Sequence, residues 1–363
     1  MPTTRPLLSA FRTAAALLAF AAAAIELSSL PSVVTAAAAA VPAPGSAAAQ
    51  MTSSIMSTTT ITPAAASAPL IDLTVAFPPP WPVQFLVDTV GLQTLPAHWH
   101  ILLGSAVACQ VLLLLSRYLS PLVAPVSYRG LSSKRKLDWD VHVVSSVHAV
   151  TIVSLAWPQL FDPVLVASPV FGYTHRAGTT YAICCGYFLW DAIFSLVHVQ
   201  TFGIGFLVHG IACLAVYLLS FRPFLLYYGS VFLMFELSTP FLNLHWFMDK
   251  TGMTGTTIQL VNGIVFLATF FLARICFGFY SSYQFFVSVI AVLDQLPMAL
   301  FLVYAVANIV LNALNLYWFH AMIQSLRRRF ASSQVRLDSP VLDEKPSRGL
   351  TKSESTDSLV HQQ

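Results

Sequence analysis

TTYAICCGYFLWDAIFSLVHVQTFGIGFLVHGIACLAVYLLS, residues 179–220, decides the fold class. It holds two apolar stretches, 179–199 and 202–220, each near the ~20 residues that a helix needs to cross a ~30 Å hydrocarbon core. Only Gln200 and Thr201 join them. A join that short cannot carry the chain sideways, so the two stretches are expected to be antiparallel neighbours.

Outside this pair the pattern repeats. Of 363 residues 56% are hydrophobic and 9% charged, with a mean hydropathy of +0.72, whereas a soluble domain spends about a quarter of its residues on charge. Further spans are expected at 98–123, 139–161, 223–247, 257–280 and 297–325. The fold class is therefore an all-α, multi-pass membrane protein with about seven transmembrane helices. Trp99, Trp139, Trp157, Tyr173, Trp246, Tyr280, Tyr283 and Trp318 flank many of the ends and are expected to form interfacial belts.

Arg129, Lys134, Arg135 and Lys136 follow the first span, and Arg327, Arg328 and Arg329 follow the last. Positive clusters stay cytosolic, and six crossings separate these two, so both fit one topology with a lumenal N-terminus and a cytosolic C-terminus. At the start, Arg5 and Arg12 precede a short apolar run, the form of a signal peptide or signal anchor at 1–30. Residues 31–97 are assigned to a low-complexity lumenal segment, 98–125 to the first transmembrane helix, 126–330 to a six-helix domain and 331–363 to a disordered cytosolic tail carrying Ser353, Ser355 and Ser358.

A net charge of +3 with its basic residues beside spans gives no nucleic-acid signal. Cys109, Cys184, Cys185, Cys213 and Cys276 all lie in apolar stretches without CxxC or metal-ligand spacing, so neither metal nor cofactor is expected.

Polar groups at membrane depth lack water and must pair with protein or serve a site. Tyr187, Asp191 and His198 share one face of the third span, and Glu236, Thr239 and Asn243 share one face of the fifth, with Pro240 expected to open that helix beside Glu236. His209 lies mid-way along the fourth span. His142, Ser145 and His148 stand on the second, and Asn308, Asn312 and Asn315 on the seventh. Asp191 and Glu236 favour a cavity because carboxylates in lipid are costly, while the asparagines and His148 favour interhelical bonding. His198 and His245 are expected at interfaces, and Arg274 either snorkels to the lumenal surface, the favoured reading, or pairs with a carboxylate.

SSVHAV (145–150), GYFLWDAIF (186–194), LVHG (207–210), FELSTPFLNLHWF (235–247) and NALNLYWFHAM (312–322) together resemble the TLC domain family. That family includes the translocating-chain-associated membrane proteins and the ceramide synthases, and the likeness, over 138–330, is to its transmembrane protein 56 branch. It implies an endoplasmic-reticulum or related endomembrane protein whose barrel of helices encloses a lipid-accessible cavity, acting in lipid homeostasis. Ceramide synthases carry two adjacent histidines where this chain has His209 and Gly210, and more acids where it has Ser238 and Asn243.

Three functions follow as expectations. The first is lipid binding, sensing or control of membrane composition, with Tyr187, Asp191, His209, Glu236, Thr239, Asn243, His148 and Asn312 lining the cavity and membrane lipids as partners. The second is an acyl-CoA-dependent N-acyltransferase acting on a sphingoid base, with His209 as base and Asp191 or Glu236 orienting it. The third is a membrane adaptor or cargo receptor working through its tail.

Overall fold

The computed structural model describes residues 77–338, with side chains to 327. The signal segment at 1–30, the low-complexity stretch up to 76 and most of the tail lie outside the described residues. Everything described is helix, turn or connector.

Ten helices carry the architecture: α1 (Trp81–Val90), α2 (Trp99–Val123), α3 (Ser133–Ala156), α4 (His175–Val197), α5 (Ile204–Leu219), α6 (Leu226–Leu233), α7 (Thr239–Lys250), α8 (Thr257–Phe270), α9 (Gly278–Ile290) and α10 (Met298–Asp338). Five runs are long and apolar enough to cross a membrane: Trp99–Val123, Ser133–Phe161, His175–Val197, Thr257–Ile290 and Met298–Arg327. Two more passes complete the bundle. The first is α5, 16 residues long and thus about 24 Å; the second is the broken run α6 to α7. Residues 198–203, rather than two residues, join α4 to α5, and the helices lie antiparallel as expected, with Gly210 against Asp191 and Tyr217 against Tyr181.

The sixth pass runs on to Ile290, ten residues past its expected end at 280. It does so through a π-helical turn, Phe271–Phe277, between α8 and α9. The fifth pass changes from α to 3-10 winding over Met234–Ser238 before α7 begins, with Pro240 in the first turn of α7. Proline has no N–H to offer the Glu236 carbonyl four residues back, so the α ladder fails where the sequence places the kink.

α4 is the hub, flanked by α2 and α5. Its Gly186 sits against the Leu102 carbonyl and Ser105 of α2, where a Cβ has no room. A small residue there lets the two backbones approach closely.

One end of the bundle is closed by an apolar cluster around Tyr181, Phe221, Phe224, Leu226 and Leu300. Residues 81–97, assigned from sequence to the low-complexity segment, are part of this cap. Leu92 and Leu95 are 1% and 2% exposed, the Thr94 N–H and hydroxyl both donate to the Phe221 carbonyl at 3.0 Å, and Arg222 Nη1 donates to the Val90 carbonyl at 3.0 Å. The opposite end carries Lys134–Lys136. There Asp140, 1% exposed, accepts from Ser116 (2.6 Å) and Tyr128 (3.2 Å) and pairs with Arg117 (3.4 Å), locking the elbow between α2 and α3.

The aromatic belts are only partly as expected. Trp157, Tyr280 and Tyr283 are exposed, but Trp139, Trp246 and Trp318 are buried. Trp139 packs edge-on to Trp246 at 6.0 Å and donates to Ser120 at 2.9 Å. These rings fill the bundle, so they are core residues.

Candidate functional site

The polar residues of the passes divide into two groups by what they touch. Asp191 of α4, His209 and Cys213 of α5, Glu236 of the 3-10 turn and Arg274 of the π turn lie inside the bundle, with Asp191 and Glu236 near Cys213 and Arg274 near both His209 and Glu236. His209 keeps exposed surface, and Asp191, Glu236 and Cys213 are only half-buried. Packed side chains therefore leave the interior around these residues partly open. Along its length α5 leans on α4, and the hydrogen bonds to α10 join Tyr304 to Val216 and Ser220 near one end, leaving the His209 turn outside that contact.

Two details define the chemistry. His209 has Cys213 Sγ at 3.7–3.8 Å as its hydrogen-bond partner, one turn along α5, and no bond joins its ring to Asp191 or Glu236. Gly210 faces α4 so closely that a Cβ would stand 2.7 Å from Asp191 Oδ2 and 3.2 Å from the Ala192 nitrogen. The position where ceramide synthases have a second histidine is thus filled by the Asp191 carboxylate and α4 backbone.

Arg274 is 7% exposed and does not snorkel. Its Nε donates to the Phe235 carbonyl (3.1 Å) and Ser238 Oγ (3.2 Å), its Nη2 reaches Thr239 Oγ1 (3.4 Å), and the guanidinium lies 5.0 Å from the Phe270 ring. The 3-10 turn offers free carbonyls in a place without water, and Arg274 supplies the donors. Thr239 belongs to this clamp.

Other expected cavity residues are occupied by packing. Asn243 bonds His142 at 2.9 Å and donates to Ser145 and Ser146 at 3.2 and 3.0 Å, tying α7 to α3. Asn312 donates to Ser282 (2.8 Å) and to Asn308, joining α10 to α9. Asn315 is fully buried with no hydrogen-bond partner for its amide. His148 stacks on Tyr187 at 3.7 Å and 5°, with its Nε2 buried and unbonded, so Tyr187 has one face on His148. His198 Nδ1 donates locally to the Phe194 carbonyl, 2.9 Å away. Among the described residues no three His, Cys, Asp or Glu side chains converge as metal ligands would.

Comparison with known proteins bears on this arrangement directly, because the matched segment contains every residue of the interior space. The TLC domain model matches residues 138–324. The chain belongs to the TLC domain family. It is similar to an uncharacterised TLC domain-containing protein of Schizosaccharomyces pombe, 42% identical over 247 residues, covering 68% of this chain and 85% of the relative. It is also similar to topoisomerase I damage affected protein 4 of Saccharomyces cerevisiae, 32% identical over 240 residues and covering 64% and 85% of the two chains. Human TLC domain-containing protein 4 is 29% identical over 209 residues, covering 56% and 79%. No solved structure matches. Membership makes this a multi-pass membrane protein of a lipid-related family.

Sequence reasoning missed Arg274 and Cys213 as partners of the site. Arg274 was visible as an isolated cation in an apolar span, but the carbonyls that hold it become free only through the winding of a segment 39 positions earlier.

Proposed function

We propose that the TLC domain of this protein takes the polar part of a membrane lipid into the space bounded by Asp191, His209, Glu236 and Arg274, and acts in lipid homeostasis by binding or sensing it. One observation carries this reading: Asp191, Glu236 and His209 keep uncovered surface inside a bundle whose outer surface is apolar, beside the buried Arg274 guanidinium. Such groups are costly at membrane depth unless they meet a polar partner. Residence in the endoplasmic reticulum or a related endomembrane, a lumenal cap formed by residues 81–97 and a cytosolic Lys134–Lys136 end complete the proposal.

The N-acyltransferase reading draws on the accessible His209 alone. A general base needs an orienting partner, and His209 has Cys213 where a carboxylate is wanted. The blocked Gly210 removes the second histidine. Lipid binding is therefore favoured.

The test is lipidomics of cells lacking the protein, re-expressing wild type, His209→Ala or Glu236→Gln at matched levels, with acyl-CoA and sphingoid base offered to the purified protein. Lipid changes restored by wild type and not by Glu236→Gln, without acyl transfer, are expected. Transfer abolished by His209→Ala overturns the reading in favour of the enzyme, and rescue by both variants but not by a tail truncation favours the adaptor.

A further inference from the structure

Apart from the interior space, a groove with a volume of about 710 Å³ lies on the outer wall. This lies within the ~300–1,000 Å³ range of small-molecule sites. Its walls are the end of the second pass (Trp157, Leu160, Phe161), α6 with the 3-10 turn (Tyr227 to Leu237) and the π turn with α9. Trp157, Phe161, Leu237 and Leu272 keep between 41% and 68% of their surface exposed, so the groove opens sideways onto lipid.

Its polarity is graded. Towards the cap end, Tyr228 donates to the Gln284 carbonyl (2.8 Å) and bonds Ser288 (2.6 Å), and Gln284 Nε2 donates to the Tyr280 hydroxyl (2.9 Å). Tyr280, Gln284 and Ser288 are four apart and form a ladder of neutral hydroxyl and amide groups along one face of α9. Towards Leu237 the lining is almost wholly apolar. None of the lining residues is Asp, Glu, Lys or Arg.

Depth and charge select the occupant. Tyr227 to Leu237 is ten steps of helix, ~16 Å at 1.5–2 Å per step, or about half of a ~30 Å core. The groove thus runs one leaflet deep, from the interface to the helix break. A phospholipid headgroup brings a phosphate that wants a cation, and none is offered. Flat aromatic walls (Trp157, Phe161, Tyr227, Phe277) suit a rigid ring system better than a flexible chain, which would lose its rotamer freedom on binding.

From this we infer that the groove is a binding site for a sterol, its single hydroxyl at the Tyr280–Gln284–Ser288 ladder and its rings against the aromatic walls. The site is separate from the interior space and does not need it. The floor nevertheless includes Met234, Leu237 and Ala273, the chain neighbours of the Glu236 and Arg274 turns, so a lipid seated here touches the back of the two irregular segments.

The experiment uses the full-length protein in phosphatidylcholine nanodiscs with a clickable photoreactive sterol, its cross-links mapped by peptide mass spectrometry. Cross-links are expected on the peptides holding Trp157–Phe161 and Leu272–Gln284, competed by unlabelled sterol. Leu237→Trp and Leu272→Trp, both at exposed lips, should each cut labelling by about tenfold, and Gln284→Leu should weaken it too, while His209→Ala leaves it unchanged. Labelling spread evenly around the bundle, or competition by diacylglycerol or phosphatidylcholine as effective as by sterol, overturns the assignment. Loss of labelling in His209→Ala would show that the sterol occupies the interior space, which also overturns it.

Discussion

The cap formed by residues 81–97 should open in acid, and His98 sets the size of the effect. His98 immediately precedes the first spanning helix and is fully buried. Its Nε2 lies 2.8 Å from the Tyr173 hydroxyl and its Nδ1 3.4 Å from Thr179 Oγ1, with the His175 ring 4.6 Å away and Phe221 at 5.8 Å. Burial, reinforced by the neighbouring charges of His175 and His100, lowers its pKa from 6.5 to about 4. A folded-state pKa below the unfolded value means that the opened form takes up the proton first as pH falls. Stability is therefore complete above about pH 6.5 and declines progressively down to about pH 4. At 1.36 kcal/mol per pKa step this amounts to ~3 kcal/mol, or about a hundredfold in the opening equilibrium. Hydrogen exchange at the Thr94 amide, which donates to the Phe221 carbonyl, reads the opening once intrinsic exchange rates are corrected for pH. Protection should fall by about two orders of magnitude between about pH 7.5 and about pH 4.5, and His98→Asn should flatten the curve. Unchanged protection across that range, or the same decline in His98→Asn, would refute the argument.

Other consequences follow from single contacts. Gly210→Ala drives a methyl into Asp191 and the α4 backbone and should lower stability by ~1–3 kcal/mol, seen as an earlier thermal transition of the nanodisc-embedded protein. Arg274→Met removes the guanidinium bonds to the Phe235 carbonyl and Ser238, leaving that carbonyl only the Ser238 hydroxyl, and should cost ~1–3 kcal/mol; Arg274→Lys should not restore it, because an ammonium lacks the planar fork that reaches both turn and Thr239. Asn243→Leu removes three bonds to α3 and should destabilise by ~1–3 kcal/mol, whereas His209→Ala, which faces open space, should shift stability by no more than ~0.5 kcal/mol. Thermal melts of that last pair separate a packing residue from a site residue before any lipid is measured.

What the sequence reveals depends on whether a property belongs to one segment or to two. Hydropathy over a run of residues is a property of one segment, so the five long apolar runs and the shorter α5 could be read in advance, while the extension of one run to Ile290 could not. Pro240 likewise acts on its own helix. The cap could not be read from its own segment, because its order comes from Thr94 bonding Phe221 across 127 positions of sequence and Arg222 bonding Val90 across 132. The pairing of Glu236 with Asn243 on one face fails for a physical reason. Seven residues return to the same side of an α-helix, but 3-10 winding advances ~120° per residue instead of ~100°. Of the seven steps from Glu236 to Asn243 about three, through Ser238, are 3-10 wound, which adds ~60°. Glu236 therefore stays with the interior space while Asn243 turns to α3.

The two irregular segments are best understood together. In lipid every backbone group needs an internal partner, so an overwound turn is stable only beside something that can satisfy its freed carbonyls. The π turn Phe271–Phe277 brings Arg274 to that position, and Gly278, immediately after it, leaves space for the Phe235 ring, which would stand 2.8 Å from any Cβ there. Each deviation thus accommodates the other: the 3-10 turn supplies acceptors, and the π turn supplies the donor and the room. Together they separate the polar interior, with Glu236 on its wall, from the outer groove, with Met234, Leu237 and Ala273 on its floor. A group that pulls on Glu236 must act on the turn that Arg274 holds, and a lipid that presses on Leu237 acts on the same turn from the other side. The two sites of the proposals above therefore share one wall, and a change at either is felt by the turn between them.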